Sequence, residues 1–523
     1  MGIYLNPSNS GFRESLNSEI YIDKTGLISV ANDVIGTEQK FMCISRPRRF
    51  GKSMAAKMLA AYYCRTCDSR GLFQNLKIAQ DDSFVMHLNQ YDVISFNMQD
   101  FLSQAADAEF LTEYLQEKVL RDLRKVYDDV ADFSENSLID VLLQIYAETE
   151  TAFVFIIDEW DCIFREKKNA TAVQTKYLDF LRSLLKDKPY VKLAYMTGIL
   201  PIKKYGTHSA LNMFDEYSMI DSDVLAEYTG FTEDEVQALC KKYSMDFEET
   251  RRWYDGYCVA EGLHIYNPKS VVDAMRKRKF DSYWVNTETY EALKIYIDMN
   301  FDGLKDVIVK LLAGERYNLN TRNFTNDMTT FADKDDVLTL LVHLGYLAYD
   351  VVNKEAYIPN EEIRGEFVSA IRGSGWEGVI KAIRASQDLL EQTWERNETA
   401  VAQGLDNAHM EMTSVLSYHN ENALSCVISL AYYSARKEYT LLRELPTGKG
   451  FADIVFLPHK NSNKPAMIVE LKWDKTVTGA ITQIKEKRYV KALEQYGGEV
   501  LLVGVNYNKA SKKHECMIEV YTK

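Results

Sequence analysis

The sequence has few residues that break regular structure and no long apolar run. Only 9 of its 523 residues are proline and 46% are hydrophobic, a composition typical of a well-packed protein with little disorder. No stretch of about 18 apolar residues occurs, and the N-terminus lacks a basic segment followed by an apolar one. We therefore expect a cytoplasmic protein with no membrane partner, built from about three or four domains.

Cysteines are also few, and basic residues are outnumbered by acidic ones, 62 against 76. The eight cysteines are scattered, which fits reduced thiols, and Cys64 and Cys67 form a lone CxxC without the second pair that a tetrahedral zinc site needs. A net charge of −14 excludes a protein that coats nucleic acid through overall charge. Residues 441–523 nevertheless hold 14 basic and 9 acidic side chains. A polyanion would dock there, unless this is only a solvated basic surface.

The first part of the chain has the pattern of a parallel sheet covered by helices. Between residues 40 and 200, short β-rich runs alternate with stretches of helical periodicity. The predicted strands are Phe41–Ser45, Val93–Met98, Phe153–Ile157 and Lys192–Met196.

A phosphate-binding loop follows the first predicted strand. Gly51-Lys52-Ser53 stands between this apolar strand and a run of good helix formers. In that context backbone N–H groups face the phosphates, the lysine reaches the β and γ oxygens, and the serine hydroxyl ligates Mg²⁺. The usual pattern begins with glycine where this chain has Arg46, so Pro47 must help to set the turn. The predicted nucleotide contacts from this loop are Arg49, Phe50, Gly51, Lys52 and Ser53.

An acidic pair follows the third predicted strand. Asp158 and Glu159 end its apolar run. At the carboxyl edge of a buried parallel strand, the first carboxylate would hold Mg²⁺ and the second would orient the attacking water; a pair that merely caps the strand is the alternative. Thr197 directly follows the fourth predicted strand and would put a hydroxyl near the γ-phosphate. These residues predict an ATPase that uses ATP and Mg²⁺, with no arginine finger assignable.

The middle of the chain has a sequence pattern typical of helices. Thr232 and Glu235 form a capping-box pattern at the start of a region that we expect to be a helical lid. Further on, a helix ending in LLVHLGYL precedes two short strands joined at Asn353-Lys354 and another helix, the order of a winged-helix unit. The predicted regions are 1–229 for the ATPase domain, 230–300 for the lid, 301–415 for the winged-helix-like segment and helical linker, and 416–523 for a C-terminal α/β domain.

Two C-terminal strands carry a second candidate site. Residues 450–456 and 466–472 are predicted to be adjacent strands, and their alternation puts Glu470 and Lys472 on one face, where strand pairing would bring Asp453 beside them. Carboxylates suit Mg²⁺ or Mn²⁺, which activates water and stabilises charge on a phosphodiester, and the lysine would orient that water or help to deprotonate it. The pattern predicts a metal-dependent nuclease site; a cross-strand salt bridge is the alternative.

Five motifs resemble those of a bacterial AAA-ATPase-like family. They are YIDKT (21–25), RPRRFGKS (46–53), DEWD (158–161), WYDGY (253–257) and YNP (266–268). The family is similar to the STAND and AAA ATPases, it also has arginine at the first loop position, and it typically joins its ATPase to a PD-(D/E)XK nuclease domain. The resemblance implies an α/β fold: a P-loop NTPase parallel sheet with a helical lid and a winged-helix-like segment, followed by a PD-(D/E)XK nuclease α/β domain.

The nuclease part of the resemblance covers residues 418–523. A helix predicted over 421–434 precedes the first strand, as in the PD-(D/E)XK fold, and would supply Glu421 as a further metal ligand or water-orienting group. The segment from Gln483 to Tyr489 is predicted to open another helix beside the site or the nucleic acid. The positions that match the family are Glu444, Gly450, Asp453, Glu470, Lys472, Gln483 and Tyr489.

The leading hypothesis is an ATP-gated nuclease. Its expected partners are ATP and either DNA or RNA, and assembly as a homo-oligomer stays open. A second hypothesis is an ATP-driven regulatory switch, similar to STAND proteins, whose C-terminal nuclease fold acts as a binding module. A winged-helix transcriptional regulator is disfavoured because the winged-helix-like segment has no concentrated basic recognition helix.

Overall fold

The structure is a computed structural model with side chains. Its described residues are 2–105, 107–134, 136–202, 204–205, 208–209, 211–260, 262–284, 297, 301–322, 324, 331–372, 376–412, 421–446, 451–459, 462–487, 489, 493 and 498–521. In this part of the chain, no helix is both long and apolar enough to cross a bilayer.

The α-helices in the described residues are numbered in chain order. They are α1 (Ser10–Leu16), α2 (Gly26–Val34), α3 (Lys52–Tyr63), α4 (Arg70–Phe73), α5 (Phe84–His87), α6 (Met98–Gln104), α7 (Leu111–Tyr127), α8 (Leu138–Thr149), α9 (Cys162–Glu166), α10 (Thr171–Leu185), α11 (Glu233–Tyr243), α12 (Phe247–Tyr254), α13 (Pro268–Lys277), α14 (Leu304–Ala313), α15 (Lys334–Leu344), α16 (Glu361–Ala370), α17 (Glu377–Trp394), α18 (Glu398–Met412), α19 (Glu421–Ala431) and α20 (Val477–Glu486). Short 3₁₀ helices occupy Lys77–Gln80, Ala108–Phe110, Asp223–Tyr228, Phe301–Gly303 and Tyr433–Lys437.

The strands in the described residues are numbered in the same way. They are β1 (Phe41–Ser45), β2 (Asp92–Asn97), β3 (Phe153–Asp158), β4 (Val191–Gly198), β5 (Lys204–Tyr205), β6 (His208–Ser209), β7 (Asp215–Tyr217), β8 (Phe231–Thr232), β9 (Tyr257–Ala260), β10 (Leu263–Tyr266), β11 (Tyr317–Asn318), β12 (Ala348–Asp350), β13 (Glu355–Tyr357), β14 (Tyr439–Pro446), β15 (Phe451–Pro458), β16 (Ala466–Trp473), β17 (Val500–Asn508) and β18 (Lys513–Val520).

The chain forms two compact units. The first contains residues 1–289 and 318–363, and the second contains residues 290–317 and 364–523. The four regions predicted from the sequence, and the three boundaries between them, stay predictions.

The first unit is built on a parallel five-stranded sheet of order β2-β3-β4-β1-β7. Every residue of β1 and β3 is buried, as expected for strands covered by helices on both faces. The four strands predicted from the sequence are confirmed to within two residues at each end. β4 lies between β1 and β3, so the loops that follow these three strands meet at one edge of the sheet.

The remainder of the first unit mixes helices with small sheets. The capping box of α11 is confirmed: the Thr232 side chain accepts from Glu235 N, and the Glu235 carboxylate accepts from Thr232 N at 2.9 Å. The expected helical lid also contains a sheet of order β8-β10-β9, which was not predicted. α15, the hairpin of β12 and β13, and α16 follow one another in the order predicted for a winged-helix-like segment.

The second unit ends in a sheet of order β14-β15-β16-β17-β18, in which β16 and β17 are parallel and the other pairs are antiparallel. The predicted pairing of the two strands that carry the nuclease motif is confirmed. β14 was not predicted, because YTLLRELP lacks a clear alternation and becomes a strand through pairing with β15. The prediction that Gln483 opens a helix is wrong: Thr476 caps α20 and Gln483 lies in its last turn.

Candidate functional site

The loop between β1 and α3 has the geometry of a phosphate-binding loop. Gly51 directly precedes the first residue of α3. Its φ of +88° is a left-handed conformation that glycine adopts without strain. The Lys52 ammonium is buried and donates to the carbonyl oxygens of Arg46 and Pro47, both at 3.0 Å. The N-terminus of α3 therefore combines backbone N–H groups with a lysine side chain, as a phosphate-binding site requires.

Arg46 supports this loop from inside the protein. Its side chain is 1% exposed. Its guanidinium donates from Nε to the Thr229 hydroxyl at 3.0 Å and from Nη1 to the carbonyl oxygen of Ser218. Burial lowers the pKa of Arg46 to about 10. The arginine at the usual glycine position thus holds the segment that follows β7, and its side chain is turned to the interior.

Asp158 is oriented by two neighbouring strands. The Thr197 hydroxyl donates to its Oδ1, and Asn97 at the end of β2 donates from Nδ2 to its Oδ2 at 3.2 Å. Thr197 is fully buried and Asp158 nearly so. The carboxylate is therefore held in one orientation at the edge of the sheet, as a metal ligand needs. A direct contact between Thr197 and the γ-phosphate stays a prediction.

Glu159 is paired with an arginine from the next helix. Its backbone has φ +54°, an uncommon conformation for a residue other than glycine, and its Oε2 lies 2.5 Å from Nη2 of Arg165. The Arg165 Nε lies 3.1 Å from Oδ2 of Asp161, the residue before α9. Burial raises the pKa of Glu159, while Lys52 and Arg165 lower it. Glu159 is therefore a partly buried carboxylate that interacts with two cations.

A cavity of about 1110 Å³ opens in front of these residues. Among the described residues that line it, seven are basic and four are acidic, so the cavity is positively charged in a chain whose overall charge is negative. All five loop residues predicted to contact the nucleotide line it, and so does Glu159. Lys269, Val272 and Arg276 line it from one face of α13. Its size and charge suit a nucleoside triphosphate.

The C-terminal sheet brings the three residues of the nuclease motif together. In the register of β15 and β16, Ile454 lies opposite Val469, so Asp453 falls opposite Glu470. Oδ2 of Asp453 accepts from Leu471 N at 2.7 Å, and the Lys472 ammonium donates to Oε1 of Glu470 at 2.8 Å. Two carboxylates and an ammonium converge as the sequence predicts.

Glu470 has the properties of a ligand for a hard cation. Its side chain is 1% exposed, and among the described residues its Oε2 has no hydrogen-bond partner. Burial and the charge of Asp453 raise the pKa of Glu470 to about 7, against the effect of Lys472. A buried carboxylate oxygen without a partner is costly. A divalent ion bound by Glu470 and Asp453 would satisfy it, so these residues fit Mg²⁺ or Mn²⁺.

The accessory residues predicted for this site have different outcomes. Gln483 donates from Nε2 to Oε1 of Glu470 and to the Tyr489 hydroxyl, the latter at 3.2 Å. Tyr489 is buried. Gln483 therefore contacts the Glu470 carboxylate, and Tyr489 contacts Gln483. Glu421 is the first residue of α19, and its side chain lies outside the described residues.

Sequence reasoning missed two residues that contact the acidic pair. Asn97 is 61 residues away from Asp158 in sequence and reaches it only because β2 and β3 pair. Arg165 had a local signal, since it follows Asp161 by four residues, the spacing of one helical turn.

A third polar group lies in the region predicted to be a lid. Ligand atoms of Glu233, Asp255 and His264 all lie within 4.8 Å of one another. The Asp255 carboxylate is already paired with Nδ1 of His264 at 3.0 Å and with Nε of Arg251 at 3.5 Å. The side chains of Arg251 and His264 therefore account for the placement of this carboxylate.

Two family models match the two regions of the chain that carry these candidate sites. Residues 12–207 match the family model described as a predicted AAA-ATPase. Residues 419–516 match the model of the PD-(D/E)XK nuclease superfamily. The N-terminal and C-terminal order of the two regions is the one expected from the motifs.

One curated relative and two solved structures are similar to this chain. An uncharacterized protein in the vnfD 5' region of Azotobacter chroococcum mcd 1 is 24% identical over 520 residues, which cover 94% of this chain and 93% of that protein. A DNA replication initiation factor is 13% identical, covering 77% of this chain and 98% of that one, with a TM-score of 0.26. The ORC2 protein of Aeropyrum pernix is 10% identical, with corresponding coverages of 68% and 96% and a TM-score of 0.28.

Proposed function

Because the chain joins an AAA-ATPase-like region to a region of the PD-(D/E)XK nuclease superfamily, we propose that it is an ATP-gated, metal-dependent nuclease. The observation that carries the proposal is the convergence of Asp453, Glu470 and Lys472. The unpartnered Oε2 of Glu470 supports metal binding at this point. The substrate is a nucleic acid, DNA or RNA.

At the nucleotide site, residues of the loop and of the neighbouring strand ends would share the tasks of ATP binding and hydrolysis. Lys52 would leave the carbonyls of its own loop for the β and γ oxygens of ATP. Ser53 and Asp158 would hold Mg²⁺, which supplies charge neutralisation to the phosphates. Thr197 keeps Asp158 oriented through its hydroxyl. Glu159 would orient the attacking water at the cavity wall.

At the nuclease site, Asp453 and Glu470 would hold Mg²⁺ or Mn²⁺, which supplies a more acidic water and charge stabilisation at the phosphate. Lys472 lies 2.8 Å from Glu470 and would orient the water that attacks the phosphodiester. Gln483 holds the same carboxylate from α20, and Tyr489 supports Gln483. The basic surplus of residues 441–523 suits an anionic substrate.

The gating part of the proposal rests on the presence of both sites in one chain. ATP binding at Lys52, Ser53 and Asp158 would change the lid and the winged-helix-like segment, and with them the access of nucleic acid to the C-terminal site. All eight cysteines lie in the described residues and none forms a disulfide, which suits the reducing cytoplasm.

The test uses the purified full chain with single- and double-stranded DNA and RNA, each with and without ATP and with Mg²⁺ or Mn²⁺. We expect metal-dependent cleavage that is lost in Glu470→Ala and kept in Glu519→Ala, a matched change of the half-exposed glutamate on β18. We also expect Lys52→Ala to lose ATP turnover and the ATP-dependent part of cleavage, while Lys57→Ala, an exposed lysine of the same helix, retains both.

Two results would contradict the proposal in different ways. Absence of cleavage in every condition, with ATP turnover intact, would favour the regulatory switch with a nuclease fold as binding module. Cleavage that is identical in the wild type and in Lys52→Ala would reject gating and leave two independent activities.

A further inference from the structure

Arg165 contacts Glu159 of the acidic pair and lines the cavity of the nucleotide site. Its side chain is 9% exposed, and it lines the same cavity as Lys52 and Ser53. It makes two ion pairs, at 2.5 Å to Glu159 and at 3.1 Å to Asp161. The two partners differ in exposure: the Asp161 side chain is fully buried, whereas that of Glu159 is 22% exposed.

Asp161 is a fixed anchor for this arginine. Its Oδ2 also accepts from the backbone N–H groups of Ile199 and Leu200, at 3.1 and 2.9 Å. The carboxylate therefore ties the start of α9 to the segment after β4. Because Asp161 cannot move without breaking these bonds, the contact of Arg165 that is open to exchange is the one at the cavity wall.

We propose that Arg165 is a γ-phosphate sensor supplied by the same chain. When ATP binds, the guanidinium keeps Asp161 and exchanges the carboxylate of Glu159 for an oxygen of the γ-phosphate. Glu159 is thereby released to orient the attacking water. The inference rests on the proposed ATPase function and gives that site a residue that distinguishes ATP from ADP.

The chemistry of the guanidinium supports such an exchange. Arginine has five N–H donors in a fixed plane, stays charged in proteins, and forms strong charge-assisted bonds to phosphate. A carboxylate that is bound to arginine has fewer lone pairs for water, so Glu159 is a poor water-orienting group while the pair is closed. Glu159 has a left-handed backbone conformation, and the charges of Lys52 and Arg165 both act on its carboxylate.

The experiment compares the affinity for ADP with that for AMP-PNP, a non-hydrolysable triphosphate, by calorimetry in Mg²⁺. We expect Arg165→Ala to leave ADP binding within about twofold and to weaken AMP-PNP binding by roughly tenfold or more, as for loss of one charge-assisted bond. Glu159→Gln weakens the ion pair with Arg165, so we expect it to raise the affinity for AMP-PNP relative to the affinity for ADP. Arg182→Ala, an exposed arginine on α10, is the matched control.

The outcomes separate this inference from the proposed function. If the wild type binds neither nucleotide, the ATPase proposal fails. If it binds both and Arg165→Ala weakens them equally, or leaves both unchanged and lowers only the turnover rate, Arg165 merely clamps Glu159 and the sensor is rejected. Should Arg165→Ala fail to fold, Arg165→Lys and Glu159→Gln give the same comparison of ADP with AMP-PNP.

Discussion

Gly345 packs directly against Pro47: a Cβ added at Gly345 would lie 2.8 Å from Cβ of Pro47 and 2.6 Å from the ring of Trp284. Gly345 ends α15 with φ +85°, and its carbonyl oxygen accepts from the Tyr257 hydroxyl at 2.6 Å. The phosphate-binding loop therefore touches the end of the helix that opens the winged-helix-like segment, within the first unit.

We expect Gly345→Ala to lower the free energy of unfolding by roughly 1 to 3 kcal/mol, through backbone strain and overpacking, and to weaken ATP binding by displacing Pro47. Denaturant unfolding and nucleotide titration measure both effects. Gly262→Ala is the control, because Gly262 has φ +76° with nothing within 4 Å of an added Cβ. Equal effects of the two changes would show that the contact with Pro47 has no role.

Restoring the usual glycine of the phosphate-binding loop should harm this protein. Arg46→Gly would remove the guanidinium donor to the Thr229 hydroxyl, would leave the Ser218 carbonyl oxygen with the Ser222 hydroxyl as its donor, and would open a cavity. We expect a loss of about 1 to 3 kcal/mol in the free energy of unfolding and no gain in ATP turnover. Arg70→Gly, at an exposed position of α4, controls for backbone entropy. A more stable or more active Arg46→Gly protein would contradict the supporting role of Arg46.

Thr197 should act on ATP turnover through Asp158. Thr197→Val removes the hydroxyl that donates to Oδ1 of Asp158 while keeping the branched shape. We expect the Mg²⁺ concentration for half-maximal turnover to rise about tenfold, as for loss of a residue that orients a metal ligand. Thr197→Ser keeps the hydroxyl and should behave like the wild type. Turnover that falls at every Mg²⁺ concentration, with an unchanged half-maximal point, would instead favour a direct contact with phosphate.

The protonation of Glu470 should make stability without metal depend on pH. The folded pKa of about 7 lies above the ordinary value for glutamate, so the folded chain binds the extra proton between these pH values. By linkage, the stability that this proton contributes is fully present below the unfolded pKa and is lost as the pH rises through the folded pKa of about 7. Glu470→Gln should therefore gain stability relative to the wild type between about pH 4.5 and 7. A constant difference across this range, in urea unfolding with chelator, would contradict the shift.

Metal binding at the nuclease site should release a proton. Because Glu470 must be ionised to bind a divalent cation, its raised pKa predicts that Mn²⁺ affinity falls about tenfold for each pH unit below 7. Calorimetry in two buffers of different ionisation enthalpy measures the proton directly. An affinity that is unchanged from pH 5 to 7 would show that Glu470 is already ionised in the folded protein or is not a ligand.

Much of both sites was predictable because their residues lie close together in sequence. Gly51, Lys52 and Ser53 follow an apolar strand, and Asp158 and Glu159 end another, so local periodicity was enough to predict the elements that carry them. The same holds for Glu470 and Lys472, whose spacing of two puts them on one face of β16.

What the sequence alone determined is therefore the strands that carry the two sites and the chemical groups on them. The tertiary structure decided which distant side chains complete them: the burial of Arg46, the donation from Asn97 to Asp158, and the pairing that makes β14 a strand. These contacts join residues far apart along the chain, and their free energy comes from packing and strand pairing. Local sequence periodicity does not predict such long-range contacts.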